Sequence, residues 1–320
     1  MKESLNRREF LRNATGAGIG LGLAGMIGSS AWAADVTPAA AAQVLDTAGA
    51  EKLGWKLAVH SYTYRMFPVI EAIEKTASCG IKFMSVSGSI NYPTQKSVPT
   101  MSLSDSDFEA IEKKLEACGI SKTFVNMGVV KPTTDEAKTR LIFEFARKHG
   151  IEVLVAEPEP DKGDTSLTKV MDITEKLAKE FNIKVAIHNH PKPSRYWSPE
   201  TVLEAVKDRS PLLGSCADTG HMVRSGLDPV ECLKKLEGRV IALHFKDLIP
   251  SEDKNGKKSF KDAPWGTGKS NTLGQMEELK RQGFKGAFCV EYETNWENST
   301  PEIAQCAKWF YATCTELAKK

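Results

Sequence analysis

The sequence of 320 residues predicts an α/β protein of the (β/α)₈ barrel class, built as a single domain over residues 55–320. One unit recurs along this stretch: an amphipathic helix, a Gly or Asn stop, and a short apolar or β-branched run. The runs are apolar throughout, as in residues 153–156, which is typical of parallel strands covered on both faces. Eight strands alternating with eight helices favour a closed barrel over an open, doubly wound sheet.

The predicted strands each follow a helix stop, where Gly or Asn tolerates the left-handed conformation. We expect strands at about residues 55–61, 81–88, 121–127, 151–156, 183–189, 212–217, 239–245 and 286–293. We expect helices at about residues 69–79, 104–118, 133–149, 165–180, 198–208, 228–237, 271–282 and 300–318. Some helices begin with a capping residue followed by proline, as at Ser198 and Asp228. The polar segment from 250 to 270 predicts a loop, either solvated or acting as a lid.

The N-terminus predicts an export signal. Residues 6–12 read Asn-Arg-Arg-Glu-Phe-Leu-Arg, which is similar to a twin-arginine (Tat) motif, and Ala31-Trp32-Ala33 is typical of a cleavage site. The apolar stretch between them is shorter than the roughly 20 residues of a spanning helix. We therefore expect residues 1–33 to be a Tat signal peptide recognised by the Tat translocase, and residues 34–54 to be a linker leading into the barrel. The mature protein would be periplasmic or otherwise exported, with no stable membrane anchor.

The charge and cysteine composition limits the classes of partner and the covalent links that the protein is expected to have. The chain has 43 Lys and Arg against 41 Asp and Glu, and the predicted signal peptide holds four basic and two acidic residues, which leaves 39 of each. A neutral body argues against a nucleic-acid partner, because such proteins usually carry a basic excess. The seven cysteines form no C-x-x-C motif and predict buried thiols, with a Cys306–Cys314 disulfide left open. The sequence does not indicate an oligomeric state.

Polar side chains gather where the predicted strands end, which is where (β/α)₈ barrels place their chemistry. Five of the six histidines lie at these positions, namely His60, His188, His190, His221 and His244. Three carboxylates follow strands in the same way, namely Glu157, Asp218 and Glu291. Such a concentration of imidazoles and carboxylates beside apolar strands predicts a functional site rather than scattered surface polarity.

One residue from each of the last four strands can reach a common point, because barrel strands converge on one axis. The proposed metal ligands are His188, Asp218, His244 and Glu291. Imidazole and carboxylate donors favour one divalent ion of the Mn²⁺, Co²⁺, Zn²⁺ or Fe²⁺ type over Ca²⁺. Taken singly, Asp218 is as consistent with a helix cap, and each histidine with a hydrogen-bonded structural residue.

These motifs resemble the sugar phosphate isomerase/epimerase superfamily, the xylose-isomerase-like TIM barrels, over essentially all of residues 55–320. The resemblance rests on Ser61-Tyr62-Thr63-Tyr64-Arg65, His188-Asn189-His190, Asp218-Thr219-Gly220-His221, His244-Phe245-Lys246-Asp247, Gly266-Thr267-Gly268 and Glu291-Tyr292-Glu293. It implies a metal held by Asp218, His244 and Glu291. His188 stands where the epimerases carry a Glu that also acts as one of their two acid/base carboxylates. That departure disfavours a symmetric two-carboxylate epimerisation, unless Glu157, one strand earlier, supplies the missing carboxylate as a base or as a further metal ligand.

The resemblance implies an enzyme with a small-molecule sugar substrate. The expected activity is metal-dependent sugar isomerisation or epimerisation through an enediolate, with a 3-keto-glycoside lyase or hydratase as the alternative. The implied catalytic residues are Glu157, Glu291, His221 and Lys246, where Lys246 would stabilise an oxyanion or instead pair with Asp247. The implied substrate contacts are His60, His190, Arg224 and Trp265. A non-catalytic sugar-binding barrel is a further interpretation, while the neutral charge argues against a metal-dependent nuclease.

Overall fold

Eight parallel strands close into a barrel in the computed structural model, which describes residues 45–253 and 255–319. In spatial order the barrel strands are β1 (Trp55–His60), β2 (Phe83–Ser87), β5 (Met127–Val130), β6 (Val153–Ala156), β7 (Lys184–His188), β8 (Leu213–Asp218), β9 (Val240–Phe245) and β12 (Gly286–Val290), which pairs with β1. The predicted single-domain (β/α)₈ TIM barrel is therefore confirmed.

Helices precede, separate and follow the barrel strands along the chain. They are α1 (Ala48–Leu53), α2 (Val69–Ser78), α3 (Asp105–Ala117), α4 (Glu136–Lys148), α5 (Thr168–Phe181), α6 (Pro199–Val206), α7 (Thr219–Arg224), α8 (Pro229–Lys235), α9 (Thr272–Arg281) and α10 (Thr300–Lys319). Ser198 and Asp228 cap α6 and α8 with their side chains, as predicted. The apolar faces of the helices and the strands share one hydrophobic core, to which Ile73, Phe143 and Phe310 belong.

Two antiparallel hairpins, not predicted, extend from the barrel. The first pairs β3 (Ser89–Asn91) with β4 (Ser97–Pro99), and the second pairs β10 (Asp247–Glu252) with β11 (Lys258–Ala263). The predicted loop over 250–270 is therefore wrong in its first part, where the second hairpin lies. The sequence does not reveal this hairpin because its largely exposed strands show no alternation of apolar and polar residues. The third barrel strand also begins later than predicted, at Met127. The apolar Phe124, inside the predicted range, lies in the segment before β5 and packs against Phe108.

The predicted Tat signal peptide and residues 34–44 lie outside the described residues. Within residues 45–253 and 255–319, the structure contains no helix that is both long and apolar enough to cross a membrane. All seven cysteines are free thiols, including Cys306 and Cys314, and six of the seven are buried.

Strand register brings the predicted ligands to one level. Asp218 at the end of β8 pairs with His244 on β9, while His188 at the end of β7 pairs with the residue two before Asp218. Glu291 directly follows β12, which lies beside β9 in the barrel. Beneath them the barrel interior is apolar, filled in part by Val155, Ala186, Cys216 and Ala242. The four polar residues therefore stand on a packed floor at the carboxyl end of the barrel.

Candidate active site

Four side chains meet at the carboxyl ends of β7, β8, β9 and β12. One ligand atom each from His188, Asp218, His244 and Glu291 lies within 4.8 Å of the others, and all four residues are buried. His188 Nε2 is 3.1 Å from His244 Nδ1 and 3.6 Å from Asp218 Oδ2. His244 Nδ1 is in turn 3.1 Å from Glu291 Oε2. We call these four residues the inner cluster.

The inner cluster fits a divalent cation. Its two imidazoles and two carboxylates are the donor types that borderline divalent ions prefer. His244 Nε2 is buried and has no hydrogen-bond partner among the described residues, whereas the buried Asp218 Oδ2 has an ionic contact with Lys246 Nζ at 2.9 Å. Buried polar atoms rarely lack a partner, and an unsatisfied nitrogen on a residue of such a cluster is consistent with a bound ion.

Hydrogen bonds hold both the side chain and the backbone of Asp218. Its Oδ1 accepts a hydrogen bond from the backbone N–H of His221 at 2.7 Å and so caps α7, which leaves Oδ2 to the inner cluster. Asn189 accepts from the backbone N–H of Asp218 at 2.8 Å and donates to its carbonyl oxygen at 3.0 Å. No role was predicted for Asn189. Its position between two strand-end histidines was the available signal.

A buried ammonium group contacts the carboxylates of the site. Lys246 Nζ lies 2.9 Å from Asp218 Oδ2, 2.7 Å from Glu291 Oε2 and 2.8 Å from Glu293 Oε2. Burial alone would lower the pKa of Lys246, but these carboxylates raise it well above its ordinary value, so the side chain stays charged. Lys246 is fully buried and does not line the cavity described below. The predicted contact with a substrate oxyanion does not fit this position, and we treat Lys246 as a positioning residue.

The alternative pairing of Lys246 with Asp247 is wrong. The Asp247 carboxylate instead accepts hydrogen bonds from three backbone N–H groups, those of Gly266 (3.0 Å), Gly268 (2.8 Å) and Ser270 (3.0 Å). A Cβ atom on Gly268 would lie 2.2 Å from Asp247 Oδ1, so only glycine fits there. The Gly266-Thr267-Gly268 motif therefore wraps a carboxylate of the protein itself.

Gly220 makes room for the stem of Lys246. A Cβ atom at Gly220 would lie 2.6 Å from Cδ and 3.0 Å from Cβ of Lys246. We expect Gly220→Ala to lower the free energy of unfolding by about 1–3 kcal/mol, the usual cost of overpacking. An ordinary helical Gly→Ala change would raise it by roughly 0.5–1 kcal/mol. Urea unfolding of both proteins gives the sign, and a stabilised variant would contradict the close packing.

A second layer of charge backs the inner cluster. Arg224 Nη1 is 2.9 Å from Glu293 Oε2 and 3.2 Å from His221 Nδ1, while Arg224 Nη2 is 3.5 Å from Asp262 Oδ2. Arg224 ends α7 and does not line the cavity described below, so the predicted substrate contact does not fit this position. No role was predicted for Glu293 or Asp262. Glu293 was within reach of sequence reasoning, because it follows Glu291 by two residues, whereas Asp262 lies on the unpredicted strand β11.

Glu157 and His190 form a second group beside the inner cluster. Glu157 Oε1 contacts His190 Nδ1 and lies 3.5 Å from His188 Nδ1, and the two Nδ1 atoms are 3.3 Å apart. We call Glu157, His188 and His190 the outer cluster. His188 thus belongs to both clusters, with Nε2 towards the inner one and Nδ1 towards the outer one.

Burial and neighbouring charges set the protonation of the imidazoles. Burial lowers the pKa of His60 to about 3 and that of His221 to about 2, so both rings are neutral near pH 7. Burial would also lower the pKa of His188, but Asp218 and Glu157 raise it to about 9. The carboxylates therefore favour a positive charge at His188, whether it comes from a proton or from a metal ion.

A cavity of about 760 Å³ reaches the inner cluster, a size typical of small-molecule sites. Its wall includes His60, Arg65, His188, His190, His221, Glu291 and Glu293. The predicted substrate contacts His60 and His190 thus line it. Trp265 does not: it is buried in the core, with its ring edge-on to Phe245 at 4.8 Å. The prediction that Trp265 stacks on a substrate does not fit this position.

Comparison with known proteins places the chain in one family. Residues 72–313 match the family described as "Xylose isomerase-like TIM barrel". The chain therefore belongs to this family. Among solved structures, an uncharacterised protein from Parabacteroides distasonis is 30% identical, with a TM-score of 0.60, and the match covers 82% of this chain and 99% of that protein.

Curated relatives match over shorter stretches. An inosose dehydratase of Clostridium tetani is 36% identical over 146 residues, which is 42% of this chain and 49% of the relative. The rhizopine catabolism protein MocC of Rhizobium meliloti is 27% identical over 143 residues, which is 42% of this chain and 43% of that protein. The chain thus spans less than half the length of these two relatives.

Proposed function

We propose that this protein is a divalent-metal-dependent enzyme that removes a proton from a carbon next to a carbonyl in a sugar or keto-sugar. The observation that carries the proposal is the inner cluster, in which His188, Asp218, His244 and Glu291 converge at one end of a cavity of about 760 Å³. A metal held there would polarise the carbonyl and so acidify the neighbouring C–H bond.

Glu291 is the group best placed to move the proton. Its Oε2 faces Lys246 and His244, whereas Oε1 is 3.9 Å from His60 Nε2 and the residue lines the cavity. His60, His190 and His221 also line the cavity and would hold hydroxyl groups of the substrate. Lys246 stays behind the carboxylates and keeps Asp218 and Glu291 in place.

Elimination of water is favoured over epimerisation. Epimerisation needs a second acid/base group on the other face of the substrate, and Glu157, the carboxylate suggested for that role, is held by His190 and His188. Glu157 also does not line the cavity of about 760 Å³, whereas Glu291 does. The name of the curated relative, inosose dehydratase, points to the same reaction class. In such a step the C–H proton passes to Glu291 and from there to the hydroxyl on the next carbon, which leaves as water while the C=C bond forms.

Chelation tests the proposal directly. The purified protein should hold about one or more equivalents of Mn, Co, Zn or Fe by elemental analysis. With a panel of ketoses, inososes and 3-keto sugars in D₂O, NMR should detect exchange of the proton next to the carbonyl, and mass spectrometry a product lighter by one water. Removing the metal should lower the rate by about 10³-fold or more, and re-addition should restore it. Full exchange by the metal-free protein would refute the metal requirement.

A further inference from the structure

We propose that the outer cluster is a second divalent-cation site, in which Glu157 Oε1, His188 Nδ1 and His190 Nδ1 hold a borderline ion such as Zn²⁺. This goes beyond the proposed function, which requires only the inner cluster. The two sites would share His188, with one ring nitrogen serving each.

The geometry of the outer cluster is that of a cation site. Its three donor atoms all lie within 4.8 Å of one another, and the two Nδ1 atoms approach to 3.3 Å, similar to the 3.1 Å between nitrogens in the inner cluster. Two basic nitrogens at this distance need a proton or a metal ion between them. Two histidines and one glutamate are also a known three-ligand set for zinc, which leaves further positions for water or substrate oxygens.

The charge around Glu157 supports a bound cation. Its side chain is only 17% exposed, yet among the described residues no Lys or Arg forms an ion pair with it. Lys131, which lies nearby, pairs with Glu159 instead. The positive charge that stabilises this carboxylate must therefore lie on its imidazole neighbours, as a proton, or be supplied by a bound cation.

The outer cluster is open to solvent from two sides. His190 has a side chain that is 42% exposed and lines the main cavity. Glu157 and His190 also line a second cavity of about 580 Å³, together with Arg195 and Tyr196. A cation can therefore reach the site without passing through the inner cluster, and it would give the substrate a second anchoring point.

Filling both sites changes the protonation of His188. A neutral imidazole offers one lone pair, so the His188 Nδ1–H bond breaks as the Nδ1–metal bond forms, and the proton passes to solvent. The outer site should accordingly bind more weakly than the inner one, because its cation must displace that proton.

Zinc stoichiometry tests the second site. The metal-free full chain is titrated with Zn²⁺ by calorimetry, and elemental analysis after gel filtration counts the bound metal. We expect two equivalents in the wild type, one in Glu157→Gln, one in His190→Gln and one in His244→Gln. His149→Gln, a change at the end of α4 away from the strand ends, is the matched control and should keep two.

The variants separate the two sites. Suppose that the wild type binds one equivalent, which Glu157→Gln keeps and His244→Gln loses. Only hydrogen bonds then join the residues of the outer cluster, so the second site is wrong while the proposed function stands. If the single equivalent is lost in Glu157→Gln and kept in His244→Gln, the outer site stands and the inner one fails. Loss of all zinc in Glu157→Gln would make that residue a support for the inner site and would overturn the second one. His190→Gln changes a half-exposed position, so it tests the outer site even if Glu157→Gln fails to fold. Circular dichroism checks that both variants are folded.

Discussion

Asp218→Asn should sharply weaken metal binding at the inner cluster and suppress turnover while leaving the barrel folded. Asn keeps the side-chain oxygen that caps α7 by accepting from the His221 backbone N–H, since Asn and Asp are about equally good caps. It removes the negative charge that the inner cluster offers through Oδ2. We expect metal affinity to fall by at least about 100-fold, the upper end of the loss seen when only an outer partner of a ligand is removed. Turnover should fall by about 10³-fold or more.

Asp228→Asn is the matched control for this change. Asp228 caps α8 in the same way, accepting from the backbone N–H groups of Val230 at 2.8 Å and Glu231 at 3.1 Å, but it is exposed and outside both clusters. Calorimetric zinc titration and thermal unfolding should therefore leave Asp228→Asn equal to the wild type. Asp218→Asn with wild-type metal affinity would show that Asp218 serves only as a cap, the simpler interpretation of a strand-end aspartate.

The sequence predicts the barrel well because its signals are local and repeated. A helix stop followed by an apolar run marks most barrel strands to within a few residues, as at Ile183 before β7 and Phe284 before β12. The hairpin β10–β11 could not be read in this way, because it is stabilised by pairing of exposed strands rather than by a buried face. A polar segment of this kind looks the same as a solvated loop.

The sequence predicts which residues of the site lie at strand ends. It does not predict how deeply each side chain is buried. The parallel strands alone bring His188, Asp218 and His244 together, and the sequence locates each of them. The depth of a side chain is a property of packing, which sequence spacing does not contain. Lys246 and Trp265 therefore looked like substrate contacts, whereas the structure buries Lys246 behind carboxylates and Trp265 in the core.

Lys246→Met should have the largest effect on stability. It leaves Asp218, Glu291 and Glu293 without the ammonium that now lies within 2.9 Å of each of them. Removing one partner of a buried ionic network costs about 3–5 kcal/mol, because the remaining charges stay buried without compensation. Urea unfolding of the metal-free protein should show a loss of this size.

The same change should tighten metal binding. Lys246 Nζ repels any cation held by Asp218 and Glu291, so calorimetry with Zn²⁺ should give a lower Kd for Lys246→Met than for the wild type. Saturating zinc should then recover most of the lost stability, since a ligand that binds only the folded state stabilises it.

Lys176→Met removes an exposed lysine that pairs with Glu136 at 2.7 Å, and it should change stability little, because exposed ion pairs contribute little. If Lys246→Met were instead as stable as the wild type without metal, and bound zinc more weakly, Lys246 would not be the cation that balances these carboxylates. Asp218, Glu291 and Glu293 would then have to be partly protonated. The inner cluster would therefore offer a metal ion less negative charge than its geometry implies.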